Sequence, residues 1–158
     1  MSEEVKFNGL KARLAERGMS LRELADVSGV GYSTLQQLVY GMNLTGSDRV
    51  ARLCAVLECS ASDVMEFKGV EVSEKYEVGW RKYYPAVYGG VSYEPLRHLF
   101  RKNYGDEWKK KLSVMYEKAE VPKGMRARIG ADEGIPLKYV GNICRVLRCT
   151  PGYVMEYK

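Results

Sequence analysis

SLRELADVSGVGYSTLQQLVYG, residues 20–41, is the stretch whose spacing sets the architecture. Leu21, Leu24 and Ala25 fall at helical intervals, Gly29 interrupts, and Leu35 and Leu38 lie inside a second helical run. Ser20 is a good N-cap residue, and Glu23 three positions on completes a capping box. Ala25 is small where two helices must approach closely, and Gly41 is placed to end the second one. Two short helices joined by a glycine turn form a helix-turn-helix, whose second helix can enter the DNA major groove.

The flanks extend the pattern over about 60 residues, from Leu10 to Lys68. Its pieces are Leu21-Arg22-Glu23-Leu24-Ala25, Ser28-Gly29-Val30, Ser33-Thr34-Leu35 and Gly41, followed by the apolar run Val50–Leu57 and then Ser60–Met65. On these residues the segment resembles the lambda-repressor-like helix-turn-helix family, also called the Cro or XRE type. The resemblance implies a five-helix domain that binds operator DNA, often as a dimer.

The whole chain sets wider bounds. Its 158 residues make one or two small domains, and 46% hydrophobic residues is ordinary for a globular chain. The first residues, MSEEVKF, are acidic, and no run of about 18 apolar residues occurs, so a soluble, cytoplasmic protein without membrane contact is expected. Four cysteines in that setting read as free thiols. The net charge of +5 is unevenly spread: Met1–Lys68 holds 8 Lys and Arg against 9 Asp and Glu, whereas Gly69–Lys158 holds 17 against 11. The helix-turn-helix and the positive charge therefore lie in different halves.

An internal repeat accounts for the second half. Val50–Lys68 aligns without a gap on Val140–Lys158 at an offset of 90, matching Cys54 with Cys144, Leu57 with Leu147, Cys59 with Cys149 and Met65 with Met155. Further upstream an offset of 91 sets Leu24 on Met115 and Val30 on Val121. It also sets Ala25 on Tyr116 and Gly29 on Glu120, which breaks the tight-turn chemistry. The expected fold is all-α. Two lambda-repressor-like helical domains, the second degenerate, are joined by an aromatic-rich linker with room for one short hairpin.

In order, the periodicity predicts helices over Val5–Arg17, Ser20–Ser28, Tyr32–Tyr40 and Asp48–Glu58, the last capped by Ser47. A fifth helix opens at Ser60 or Ser62 and carries Val64, Met65 and Phe67. Residues 1–68 form the helix-turn-helix domain, 69–92 the linker and 93–158 the second copy. That copy has helices over Tyr93–Tyr104, Asp106–Ala119 and Lys123–Ala131, a fourth from Pro136 and a last from Pro151. Trp108, Leu112 and Met115 are expected to point inward. The linker holds Tyr76, Trp80, Tyr83, Tyr84 and Tyr88, which are expected to pack on the domains or on another chain; Tyr83 and Tyr84, beside Arg81 and Lys82, either do so or stack on bases.

Carried over from the resemblance, the base-reading positions are Tyr32, Ser33, Thr34, Gln36 and Gln37, with Leu35 and Leu38 in the core. Gln can bond adenine in a bidentate way, and Thr can contact a thymine methyl. The plainer reading of Gln36 and Gln37 is a polar helix face. Ser20 and Arg22 flank a helix N-terminus that suits a phosphate, and Asn43 follows the third helix where the family's loop meets the backbone. No Lys or Arg occurs from Val30 to Ser47, so this domain alone is short of phosphate contacts. In the second copy Lys109, Lys110, Lys111, Lys123, Arg126 and Arg128 form either a phosphate-binding patch or a solvated charged face.

Cys54, Cys59, Cys144 and Cys149 read as small buried hydrophobes rather than metal ligands. His98 reads as a surface or half-buried helix residue. No nucleophile–base pair, paired carboxylates or phosphate loop is legible, so neither an enzyme nor a cofactor is expected. The leading expectation is a homodimeric transcriptional repressor bound to double-stranded DNA. The alternative is a protein-interaction module, such as an antitoxin or a phage-type inhibitor of a nucleic-acid enzyme, built on the same scaffold.

Overall fold

The computed structural model describes residues 5–40, 46–73 and 89–158. It is mostly helical. The first half runs β1 (Val5–Lys6), α1 (Asn8–Arg17), α2 (Leu21–Ser28), α3 (Tyr32–Val39), α4 (Ser47–Leu57), α5 (Ala61–Val64) and β2 (Glu66–Phe67). The second runs β3 (Val91–Ser92), α6 (Glu94–Tyr104), a 3-10 turn at Gly105–Glu107, α7 (Trp108–Lys118), α8 (Lys123–Gly130), α9 (Leu137–Leu147), a 3-10 helix at Pro151–Tyr153 and β4 (Glu156–Tyr157).

Two short strand pairs accompany the helices. β1 pairs antiparallel with β2, Val5 opposite Phe67, and β3 with β4, Val91 opposite Tyr157. Val5 and Lys6, expected in the first helix, are thus strand, and α1 starts only after Phe7. The pairing sets the backbone of Val5 against Phe67 and buries both side chains in the core, which a further helical turn would not. For the same reason Met65 and Phe67 lie beyond α5, which ends at Val64. The last helix expected from Pro151 is a single 3-10 turn.

α4 begins one residue earlier than expected. Gly46 occupies its N-cap position, and Ser47 lies inside the helix, fully buried. The Ser47 hydroxyl serves instead as the hub of a buried chain between the halves. The Ile135 N–H donates to Ser47 Oγ at 2.8 Å. Ser47 Oγ and Tyr93 Oη are 2.6 Å apart, and the Tyr93 hydroxyl donates to the Glu133 carbonyl at 2.7 Å. Since Tyr93 has one proton and gives it to Glu133, the serine must donate to the tyrosine. Each polar atom in the chain then has a partner, as burial requires. Burial pushes the Tyr93 phenol pKa well up, so this proton stays in place across the working pH range.

Leu10, Leu24, Leu35, Leu38, Val50, Leu53 and Leu57 are buried in the first half, and Leu96, Ile129, Leu137, Val140 and Ile143 in the second. The two sets belong to one contiguous apolar cluster. A Cβ on Gly141 in α9 would lie 2.8 Å from the Phe67 ring of β2, so only glycine lets these elements approach so closely. Within the linker, where a short hairpin has room, residues 70–73 form no strand. Residues 74–88, with all five linker aromatics named above, lie outside the described residues.

Candidate nucleic-acid interface

The helix-turn-helix is built by local chemistry at both of its joints. At the start of α2, the Glu23 N–H donates to Ser20 Oγ at 3.0 Å, and the Ser20 N–H donates to the Glu23 carboxylate at 3.1 Å. At its end Gly29 takes a left-handed φ of 76° and donates its N–H to the Ala25 carbonyl. A side chain there would be strained, which is why glycine stands at this turn. The Val30 side chain is buried, and its N–H donates to Ser28 Oγ. α3 then departs from Gly31, which has no side chain to cap the first N–H groups of the helix.

Leu35 and Leu38 are 0% and 1% exposed and anchor α3 to the core. That fixes which side of α3 faces outward. Ser33 is exposed, and Tyr32, Thr34, Gln36 and Gln37 are half-buried along the same helix. Arg22 of α2 lies over the Tyr32 ring, its guanidinium carbon 4.3 Å from the ring centroid. This cation–π contact joins an expected phosphate-contacting residue to an expected base-reading one and restricts both. Ser20 is exposed, but its N–H and a lone pair of its hydroxyl serve the capping box, and the Glu23 carboxylate occupies the same helix end. The hydroxyl proton remains the group with which Ser20 can meet a phosphate. Asn43 lies outside the described residues. Tyr40, just past α3, is 81% exposed, and Val27 on α2 is 61% exposed.

In the second half α7 and α8 are likewise joined by a short turn. After α7, Glu120 adopts a left-handed φ of 55° where Gly29 stands in the first half. The Val121 N–H donates to the Tyr116 carbonyl at 2.9 Å. The turn geometry survives loss of the glycine, against the sequence-based expectation, because the bonds of the helix end and the burial of Val121 outweigh a strain of about 1 kcal/mol. Lys123 and Arg128 are exposed on α8. Arg126 is not beside them: its Nε donates to the Val121 carbonyl, and its guanidinium lies 5.7 Å from the Tyr116 ring centroid.

The expected basic patch is divided. Lys109 and Arg126 border a cleft of about 510 Å³ between α7 and α8, together with Arg97, Trp108 and Tyr116. Burial holds the Tyr116 phenol pKa up at about 12. Lys111 faces a different groove between α6 and α9, with its ammonium 5.7 Å from the Tyr104 ring centroid. Lys110 is exposed on α7. Of the three side chains expected to point inward there, Met115 is buried, while Trp108 and Leu112 are half-buried at the cleft.

Residues 9–69 match the Cro/C1-type HTH DNA-binding domain. Neither a curated protein nor a solved structure shows a significant match to the chain. The Cro/C1-type domain spans α1 to β2 and includes α3 with all five expected base-reading positions.

The cysteines are free and buried in both halves. Its bond with Cys59 and then burial raise the Cys54 pKa, while burial and then the bond with Cys149 raise that of Cys144, so both stay protonated thiols. Among the described residues no group of three His, Cys, Asp or Glu is placed to hold a metal ion. No described helix is long and apolar enough to cross a membrane. His98 is half-buried on α6.

Two clusters escaped sequence reasoning. One is the Ser47–Tyr93 chain, whose members are 46 residues apart. The other centres on Arg97, which binds Glu94 at 2.9 Å and Asp132 at 3.0 Å and donates to the Ile129 carbonyl. Burial works against charge on Asp132, but the Tyr93 N–H and the Arg97 guanidinium hold its carboxyl below the usual carboxylate range. No linear signal marks either cluster, since each joins residues distant in sequence.

Proposed function

We propose that the chain is a cytoplasmic, sequence-specific DNA-binding regulator of the repressor type, reading operator DNA through α3. One observation carries this reading. Burial of Leu35 and Leu38 turns Ser33, Gln36 and Gln37 away from the core within a helix pair of the Cro/C1 type. Gln36 and Gln37 then read adenine edges, Thr34 meets a thymine methyl, and Arg22 with Tyr32 and Ser20 meets the backbone. The chain acts by binding, without catalysis or a cofactor. Residues 93–158 are a degenerate second copy of the same domain. The parallel order of elements, the short strand pair closing each half and the left-handed residue after both α2 and α7 support this.

A second reading has its own observation. Val27 and Tyr40 are large, apolar and exposed on the helix pair, and such residues suit a protein partner.

The test is fluorescence anisotropy with the full chain and the region upstream of its own gene, against a scrambled duplex, across a salt series. Preference for the natural duplex, lost by about 1–3 kcal/mol in Gln36→Ala or Gln37→Ala, supports operator reading. Binding that ignores sequence and both glutamines refutes it and favours the protein partner.

A further inference from the structure

In a symmetric dimer, residues near the twofold axis meet their own counterparts, and contacts away from the axis occur in reciprocal pairs. This single chain shows that pattern internally. Gly46 forms an isolated antiparallel bridge with Pro136. Ser62 Oγ accepts a hydrogen bond from the Gly152 N–H at 2.7 Å. α5 lies against the 3-10 helix Pro151–Tyr153. Each pair is related by the offset of 90 that aligns Val50–Lys68 on Val140–Lys158.

Reciprocity holds away from these contacts too. Phe67 of β2 packs on Gly141 of α9. β4, which carries the counterpart Tyr157, lies on α4, which carries the counterpart Ala51. The junction is tight, since a Cβ on Gly152 would come within 2.6 Å of Ser62 Oγ. The faces around Gly46, Ser62 and Phe67 are thus covered by the second half of the same chain.

The two outward helices are not chemically equal. α3 and α8 have the same length and are related by an offset of 91. That offset replaces Tyr32 by Lys123, Ser33 by Gly124, Gln36 by Ala127 and Gln37 by Arg128. The groups able to read base edges on α3 give way on α8 to Gly124, Ala127, Met125 in place of Thr34, and the two exposed cations Lys123 and Arg128. Cations of this kind neutralise phosphates without reading sequence.

We propose that the chain is a built-in pseudo-dimer that binds duplex DNA as one chain, α3 reading bases in one half-site and α8 gripping phosphates in the other. Its target is therefore a bipartite site specified on one side only, rather than a palindrome. This inference rests on operator reading by α3 and replaces the homodimer expected from the sequence.

The experiment uses the full chain and duplexes it selects from a randomised library. Analytical ultracentrifugation should show one chain in solution and one per duplex. Hydroxyl-radical footprinting should show two protected segments, with base enrichment in only one. Lys123→Ala with Arg128→Ala should weaken binding to every duplex by the same factor, on the order of 10-fold at low salt, and reduce the salt slope by about 2. The selected base preference should not change. Two chains per duplex on a palindromic site would overturn the pseudo-dimer and leave operator reading by α3 intact. A double variant that binds as wild type, or that changes base preference, would overturn the role given to α8. If no site is enriched and the glutamine variants behave as wild type, operator reading itself fails and this inference fails with it.

Discussion

Removing one hydroxyl at the junction should destabilise the whole chain. In Tyr93→Phe the ring keeps its place in the core, where Tyr93 is 0% exposed. The Ser47 hydroxyl loses the acceptor at 2.6 Å and the Glu133 carbonyl loses the donor at 2.7 Å. Each buried group left without a partner costs about 1–3 kcal/mol, so with two such groups the variant should lose at least roughly 2 kcal/mol. Ser47→Ala strands the Ile135 N–H but leaves the Tyr93–Glu133 bond, and should lose about 1–2 kcal/mol. The double variant should lose less than the sum by about 1 kcal/mol, because the two single changes break one shared bond. Urea unfolding followed by circular dichroism measures all four proteins, and Tm should fall on the order of 5–10 °C in Tyr93→Phe. The junction joins residues 46 positions apart through one apolar cluster, so unfolding should remain a single transition. A Tyr93→Phe chain within about 0.5 kcal/mol of wild type, or strictly additive losses, would refute the reasoning.

Two further outcomes follow from the second half. Asp132 has a lowered folded-state pKa, so its contribution is complete above the unfolded value of about 3.9 and is lost as pH falls through the folded value. Asp132→Asn should therefore cost on the order of 1–2 kcal/mol at neutral pH, with the difference from wild type shrinking below about pH 4 in acid titrations of stability. Asn tolerates the left-handed φ of 56° at this position, so the backbone should not confound the comparison. Glu120→Gly should raise stability by about 0.5–1 kcal/mol, because the left-handed φ of 55° costs a glutamate more than a glycine; a loss of stability in denaturant unfolding would count against the strain assigned to this turn.

The helix-turn-helix was legible because its determinants are local. The Ser20–Glu23 capping box, the turn at Gly29 and the i, i+3 pair Leu35 and Leu38 each act within one turn of helix. The burial of the four cysteines was legible from the repeat and the helical register. Ser47 departs from its expected capping role for the complementary reason: a serine before a helical run is a good cap in isolation, and only contact with Tyr93 and Ile135 draws it inside. Val5 and Phe67 read as helical because two-residue strands carry no periodic signal, and their pairing joins positions separated by 61 residues. Successive lysines on a helix point in different directions, so Lys109 and Lys111 face different grooves.

The sequence by itself determined the two helices of the DNA-binding motif, the outward side of α3 and the existence of a repeated apolar pattern, because caps, glycine turns and hydrophobic spacing act between near neighbours. The tertiary structure alone decided that the halves share a core, that counterparts such as Ser62 and Gly152 meet, and which cations lie together. Those outcomes depend on packing between elements some 90 residues apart, where shape and buried hydrogen bonds set the partner and linear spacing carries no information.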